Sequence, residues 1–278
     1  MNIVVLGSAG QVGKALNDVF TKKNLSLIEY THKSCDLNDY KSVRNILYKN
    51  EPDFIINCSA YTKVDDAEHN KEAANATNTL AVKNLAKISS KLGSTLIHIS
   101  TDYVFDGNTT VPYDEESIEC PVNHYGFTKL MGEKAAKKNC KKLFIIRTSA
   151  IYSKHGKNFI NTVLRLAEEN KELQIIHDQI TKPTYAQDLA SCKYEIVNSN
   201  SLKYGTYNYA GGEEISWYDF AKKILYYKKK NTKIKKISIN EYKSAAKRPQ
   251  YSSLDSSKII KILNLKTTTL DNALKEIF

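Results

Sequence analysis

A glycine-spaced turn at residues 7–13 constrains this chain more than any other stretch. Residues 2–6 form a short apolar run with β-branched side chains, which predicts a buried strand. Gly7-Ser8-Ala9-Gly10-Gln11-Val12-Gly13 follows, and a helical pattern then runs through Phe20. In a strand–GxxGxxG–helix unit, Gly7 permits the tight turn and Gly10 lets backbone approach a pyrophosphate. Gly13 lets the helix pack closely on the strand. The helix start offers free N–H groups and the positive end of its dipole. A lone glycine motif carries little, but this one lies between a strand and a helix, the context that dinucleotide binding requires.

The rest of the first half repeats the same alternation. Strands are predicted over 25–30, 52–58, 95–100 and 143–149, separated by helices up to about Asn50 (capped by Asp39) and over 75–92. That order predicts an α/β, Rossmann-like doubly wound parallel sheet. Beyond Ile151 the regularity loosens. Helices are expected over 158–170, 187–198 and 216–227, with Ser216 as a cap, and short strands over 173–177 and 205–209. Residues 178–184 read as a turn, and two short helices should close the chain. The expected organisation is a dinucleotide-binding domain over 1–150 and a smaller C-terminal substrate-binding lobe over 151–278, interleaved with the first. In the usual pattern an acidic residue near the end of the second strand holds the adenosine ribose and selects NAD. Glu29 is placed for this, yet Tyr30-Thr31-His32-Lys33 follows, and a His or Lys there suits a 2′-phosphate. The cofactor is therefore NADPH or NADH, with a slight lean to NADPH.

A second stretch, Ser100 to Lys129, carries chemistry. It opens as Ser100-Thr101-Asp102-Tyr103-Val104-Phe105-Asp106-Gly107 at the end of the central strand and closes on Asn123-His124-Tyr125-Gly126-Phe127-Thr128-Lys129 at the start of a helix. Tyr125 and Lys129, four residues apart, share one helix face. An ammonium beside a phenol is expected to make its proton easier to lose than the free pKa of ~10 allows. Tyr103 and Phe105 suit a core or a cofactor wall, and Trp217 suits packing.

Composition removes several alternatives. No run approaches a membrane span, and the N-terminus lacks the basic start and long apolar run of a signal peptide. Five scattered cysteines without a CxxC pair suit free thiols in a reducing cytoplasm. The histidines show no ligand spacing such as HExxH, so no protein-built metal site is expected. The net charge of +11 is concentrated between Lys222 and Arg248. Ile, Tyr and Asn are interleaved there without a nucleic-acid motif, so the charge reads as a solvated helix face and edge strand rather than a nucleic-acid site.

Longer matches then narrow the reading. They are GSAGQVG (7–13), PDFIINCSAYTKVDDAE (52–68), STDYVFDG (100–107), PYDE (112–115), NHYGFTKLMGEK (123–134), RTSAIY (147–152), NFINTVLRLA (158–167), DQITKPT (178–184) and RPQYSSLDSSK (248–258). On these the chain resembles the dTDP-4-dehydrorhamnose reductase branch of the extended short-chain dehydrogenase/reductases. The resemblance implies NAD(P)H-dependent reduction of the 4-keto group of a nucleotide-linked 6-deoxy sugar. It implies Tyr125 as the proton donor to the keto oxygen and Lys129 as the residue that lowers its pKa and holds the nicotinamide ribose. Thr101 would hold the keto oxygen and Asp102 would help position the sugar. The resemblance also implies that Gly10, Gln11 and Val12 lie along the pyrophosphate, Asp36 and Leu37 flank the adenine, and Ala60, Tyr61 and Thr62 line the middle of the cofactor. Val64, Asn158 and Arg248 would be further, weaker candidates for sugar-nucleotide contacts. A cytoplasmic monomer or homodimer is expected.

Two positions depart from the family pattern. Ala150 stands where many members have a Trp that packs on the sugar, which leaves another NDP-keto sugar as an alternative substrate. Lys14-Ala15 stands where some members have a Glu that binds magnesium at a dimer contact, so that metal is not expected here. A rival of another class is a dinucleotide-binding regulatory subunit, which resembles this fold without needing turnover. The Thr101/Tyr125/Lys129 set argues against it.

Overall fold

The structure, a computed structural model, describes residues 1–199 and 201–278. The first half runs β1 (Ile3–Leu6), α1 (Gln11–Lys22), β2 (Ile28–Tyr30), α2 (Tyr40–Asn50), β3 (Phe54–Asn57), α3 (Val64–His69) and α4 (Lys71–Asn75). A π-helical turn (Ala76–Ala81), α5 (Val82–Leu92), β4 (Thr95–Thr101), α6 (His124–Asn139) and β5 (Leu143–Thr148) complete it. The second half runs β6 (Ile151–Tyr152), α7 (Phe159–Glu169), β7 (Glu172–Ile176), β8 (Ile180–Thr181), β9 (Thr184–Tyr185), α8 (Ala186–Asn198) and β10 (Gly205–Asn208). It ends with β11 (Ile215–Ser216), α9 (Trp217–Tyr227), β12 (Lys233–Ile237), α10 (Ser257–Leu263) and α11 (Leu270–Ile277).

Six parallel strands form one sheet in the order β10-β5-β4-β3-β1-β2. The order reverses between β1, β3 and their neighbours, so the carboxyl ends of the strands open a crevice there, the usual ligand site of such sheets. Both faces are covered, which is why β1, β4 and β5 are buried end to end rather than alternating. One face packs Val5, Ile56, Ile97 and Ile146 against α1 and α8. The other packs Val4, Ile55, Leu96 and Ile145 against α2, α5 and α6.

The edge strand β10 and the covering helix α8 both come from beyond residue 150. A separate core is built on Ile160, Val163, Phe220 and Leu274. Trp217 packs there, edge-on to Phe159 at 4.5 Å. β12 pairs with β7 and leaves Lys233, Lys235 and Lys236 exposed. Residues 178–184, expected as a turn, instead carry β8 and β9, which pair with β11 and β6. Two-residue strands have no periodicity to read.

The local signals account for the helix starts. Asp39 caps α2 by accepting from Lys41 N and Ser42 N, Asn123 caps α6 through Gly126 N, and Ser216 caps α9 through Asp219 N. The second strand begins at Ile28 rather than Leu25. Among the described residues no helix is long and apolar enough to cross a membrane.

Candidate active site

The glycine loop takes the shape its spacing requires. Gly7 has φ +82, where a side chain is strained, and a Cβ on Gly13 would lie 2.4 Å from both Cα and O of Ser8. Only glycine lets α1 sit this close to β1. Gly10 occupies the N-cap position of α1, and no side chain caps that end. The first-turn N–H groups therefore lack side-chain partners and border a cleft of about 690 Å³. An uncapped helix start beside a glycine cradle fits a pyrophosphate.

That cleft gathers most of the candidate residues. Gly7, Gly10, Gln11, Val12 and Gly13 line one wall, and Asp36 and Leu37 line the outer end. Ala60, Tyr61 and Thr62 form the middle, with Thr101, Asp102, Tyr125 and Lys129 at the inner end. Ala150 also lines it, with φ +40, a left-handed value that a non-glycine residue seldom adopts. Val64, Asn158 and Arg248 are not in the wall. Val64 opens α3. Asn158 caps α7 through Asn161 N, donates to Ser153 O at 2.8 Å and reaches Gln11 Oε1 at 3.3 Å. Arg248 grips Asp65 with both nitrogens, Nη2 to Oδ2 at 2.7 Å and Nη1 to Oδ1 at 3.1 Å. That pairing holds the Asp65 carboxyl below its usual range.

Glu29 is turned toward α1. Its carboxylate accepts from Asn17 Nδ2 at 2.5 Å on the surface of α1. Strand alternation sends residue 29 away from the cleft, a register that the sequence pattern of a three-residue strand does not resolve.

At the inner end, β4 delivers Thr101 and Asp102, and α6 delivers Tyr125 and Lys129. The Thr101 hydroxyl donates to Asp102 Oδ1 at 3.0 Å and accepts from Tyr103 N at 3.2 Å. The Tyr103 ring stands edge-on to Tyr125, centroids 5.9 Å apart. Lys129 is buried and donates to Ile99 O at 2.6 Å.

The electrostatics differ from the expectation for a stacked phenol and ammonium. Burial pushes the Tyr125 phenol up to about 12; the Thr101 hydroxyl pulls it down and the Asp102 carboxylate adds to the rise. Burial takes Lys129 down to about 8, opposed by Glu133. Desolvation dominates both shifts because both groups leave water, and Lys129 donates its hydrogen bond to a backbone carbonyl. A phenol kept neutral is a proton donor in waiting. Asp102 is also raised, to about 7, by burial, against hydrogen bonds from Ser252 and Thr101.

One residue that organises the site escaped the motif reading. Asn78 lies in the π-helical turn, 1 % exposed. Its Oδ1 accepts from Tyr61 N at 2.9 Å. Its Nδ2 donates to Tyr61 O at 3.1 Å and Thr128 Oγ1 at 3.1 Å. It thus fixes the 60–62 loop to the helix that carries Tyr125 and Lys129. A polar residue on the buried stripe of a helix was the available signal; π turns of this kind recur at functional sites. Among the described residues, no cluster of His, Cys, Asp and Glu could hold a metal.

Comparison with known proteins finds matches over the whole length. The family model for the RmlD substrate binding domain matches residues 1–278. The dTDP-4-dehydrorhamnose reductase of Salmonella typhimurium is 36 % identical over 270 residues, covering 93 % of this chain and 90 % of the relative. The spore coat polysaccharide biosynthesis protein SpsK of Bacillus subtilis is 35 % identical over 252 residues, covering 91 % and 88 %. Among solved structures, the dTDP-4-dehydrorhamnose reductase of Bacillus anthracis in complex with NADP superposes with TM-score 0.91. It is 34 % identical and covers 100 % of this chain and 97 % of its own. With this match across every residue of the chain, the protein belongs to the RmlD substrate-binding-domain family of the extended short-chain dehydrogenase/reductases.

Proposed function

We propose that this enzyme reduces the 4-keto group of dTDP-4-dehydro-β-L-rhamnose to give dTDP-L-rhamnose, using NADPH or NADH. The observation that carries this reading is the convergence of Thr101, Tyr125 and Lys129 on one end of a cleft walled by a glycine cradle. The reduced nicotinamide supplies the hydride when bound. Gly10, Gln11, Val12 and Gly13 would hold its pyrophosphate, and Ala60, Tyr61 and Thr62 its middle. Asp36 and Leu37 would flank the adenine.

The remaining work falls to this chain's own side chains. Tyr125, neutral across physiological pH, holds a proton on Oη and passes it to the sugar's 4-oxygen as charge develops there. Thr101 donates a second hydrogen bond to that oxygen once it releases Asp102 Oδ1. Lys129 lies one turn beyond Tyr125 and adds positive potential as the phenolate forms. Asp102 positions the sugar nucleotide, with Val64, Asn158 and Arg248 as further contacts from outside the cleft wall. A basic surface suits a partner carrying a diphosphate.

The test is oxidation of NADPH and NADH with dTDP-4-dehydrorhamnose generated in situ, followed by identification of the product. Formation of dTDP-L-rhamnose supports the reading, and a different reduced epimer would move the substrate to another NDP-keto sugar. Cofactor binding without turnover on any keto sugar would instead point to a regulatory subunit.

A further inference from the structure

Lys129 is a buried ammonium whose hydrogen bond goes to a neutral acceptor, Ile99 O at 2.6 Å. A cation taken out of water needs a counter-charge close by. Tyr125, Lys129 and Glu133 are spaced four residues apart and lie one above the other on a single face of α6. Glu133 is fully buried, so its charge acts on Lys129 with little solvent screening. It is also one corner of a triad. Arg147 of β5, opposite Ser100 of β4 in the sheet, donates Nη2 to Glu133 Oε2 at 2.7 Å and Nε to Oε1 at 3.0 Å. The same Nη2 donates to Glu119 Oε1 at 2.6 Å. Burial pushes the Glu119 carboxyl up, but Arg147 outweighs it and holds the group below its usual range. Two carboxylates against one guanidinium leave one negative charge over, and Lys129, a turn away on α6, balances it.

The other groups around Lys129 do not do this. On its own helix Tyr125 is neutral, and β4 presents His98, which burial and Lys129 itself keep neutral. Asp102 follows β4 at the cleft end, where its carboxylate is bonded to Thr101. Cys58, after β3, is a thiol that burial pushes up to about 12. The π turn presents the uncharged Asn78, and α3 reaches the start of α6, where Glu68 accepts from His124 N at 2.7 Å. We propose that Glu133 is a positioning residue for the reduction: clamped by Arg147, it holds Lys129 as an ammonium beside Tyr125 and so sets the pH up to which the enzyme turns over. The inference rests on the reductase reading, in which Lys129 adds positive potential as the phenolate forms.

The pH dependence of kcat with NADPH and the keto sugar tests it, with thermal melting at each pH to confirm the fold. In wild type the basic limb should fall near the Lys129 value of about 8. Removing the anion makes the ammonium easier to deprotonate, so in Glu133→Gln the limb should move about 1–2 pH units lower. The loss is then small near about pH 6 and at least about tenfold near about pH 8. Glu133→Asp should return the limb toward wild type. Glu119→Gln leaves the buried pair in place and should move the limb the same way by less, which keeps the test decisive if Glu133→Gln folds poorly. A limb at the wild-type pH in both glutamine variants, or a loss equal at every pH, would overturn the positioning role and leave the reductase reading intact. A wild type that turns over no keto sugar would overturn the two together.

Discussion

Gly126, directly after Tyr125, has no room for a side chain. A Cβ there would lie 2.0 Å from the Tyr103 carbonyl oxygen and 2.9 Å from its carbon. Real Cβ contacts stay beyond about 3.0 Å, so Gly126→Ala must open the gap between α6 and the Tyr103 backbone by about 1 Å. Neither side yields easily. The start of α6 is held by the Asn123 cap at 2.8 Å, and Tyr103 N is bonded to Thr101. The displacement therefore falls on the separation between Tyr125 and Thr101, the two groups that must meet one oxygen. A misplacement of about 1 Å at the reacting atoms costs ~10²-fold in rate, and the overpacking itself ~1–3 kcal/mol of stability. Steady-state kinetics with the keto sugar, cofactor titration and thermal melting separate these effects. The expected result is kcat down ~10²-fold, cofactor Kd within about threefold and a lower Tm. Gly93→Ala is the control. At φ +70 with no atom within 4 Å, it should lose ~1–2 kcal/mol of stability and keep kcat. A Gly126→Ala enzyme with wild-type kcat and Tm would refute the reasoning.

Three further predictions concern buried polar groups. Arg147 is fully buried between two carboxylates, with Nη2 to Glu133 Oε2 at 2.7 Å, Nε to Glu133 Oε1 at 3.0 Å and Nη2 to Glu119 Oε1 at 2.6 Å, so Glu133→Gln should cost ~1.5–3 kcal/mol in denaturant unfolding because the guanidinium keeps Glu119 but loses its charged bonds to Glu133. Asp102 is an acid whose folded pKa, about 7, lies above its unfolded value of 3.8, so the folded state binds the extra proton. Its cost is absent below the unfolded value and fully present above about pH 7. Wild type should therefore lose stability relative to Asp102→Asn between those limits, by about 4 kcal/mol at most, measured as the difference of two unfolding curves against pH. Asn78→Ala removes three hydrogen bonds between the 60–62 loop and α6 and should weaken cofactor binding about tenfold by calorimetry, with stability down ~1–3 kcal/mol.

The parts of this molecule that were legible in sequence are those set by short-range physics. The Gly7–Gly13 spacing, the caps at Asp39, Asn123 and Ser216, and the apolar runs of β1, β4 and β5 each declare themselves within a few residues. The pairing of β10 with β5 does not, because the strands are separated by more than fifty residues and nothing local states which edge a late strand will join. The brief helices α3 and α4 have no expectation in the sequence reading because five or six residues cannot display a 3.6-residue period. The motifs named Thr101, Asp102, Tyr125 and Lys129, and the structure brings all four into one cleft. They missed the direction of the Tyr125 shift, since spacing along a helix reveals a neighbour but not the loss of water around both groups. Strand register turns the carboxylate of Glu29 to Asn17, and Arg248 and Asn158 are tied to Asp65 and Gln11.

The central claim is that a neutral Tyr125 at the inner end of this cleft donates the proton that completes reduction of a keto sugar. Tyr125→Phe removes one oxygen and leaves the packing of its ring against Tyr103. The direct measurement is kcat with NADPH and dTDP-4-dehydrorhamnose for this variant, beside its NADP⁺ affinity and its melting temperature. The account predicts a loss of ~10²–10⁴-fold in kcat with affinity and Tm close to wild type. Turnover at the wild-type rate in a folded, cofactor-binding Tyr125→Phe enzyme would contradict it.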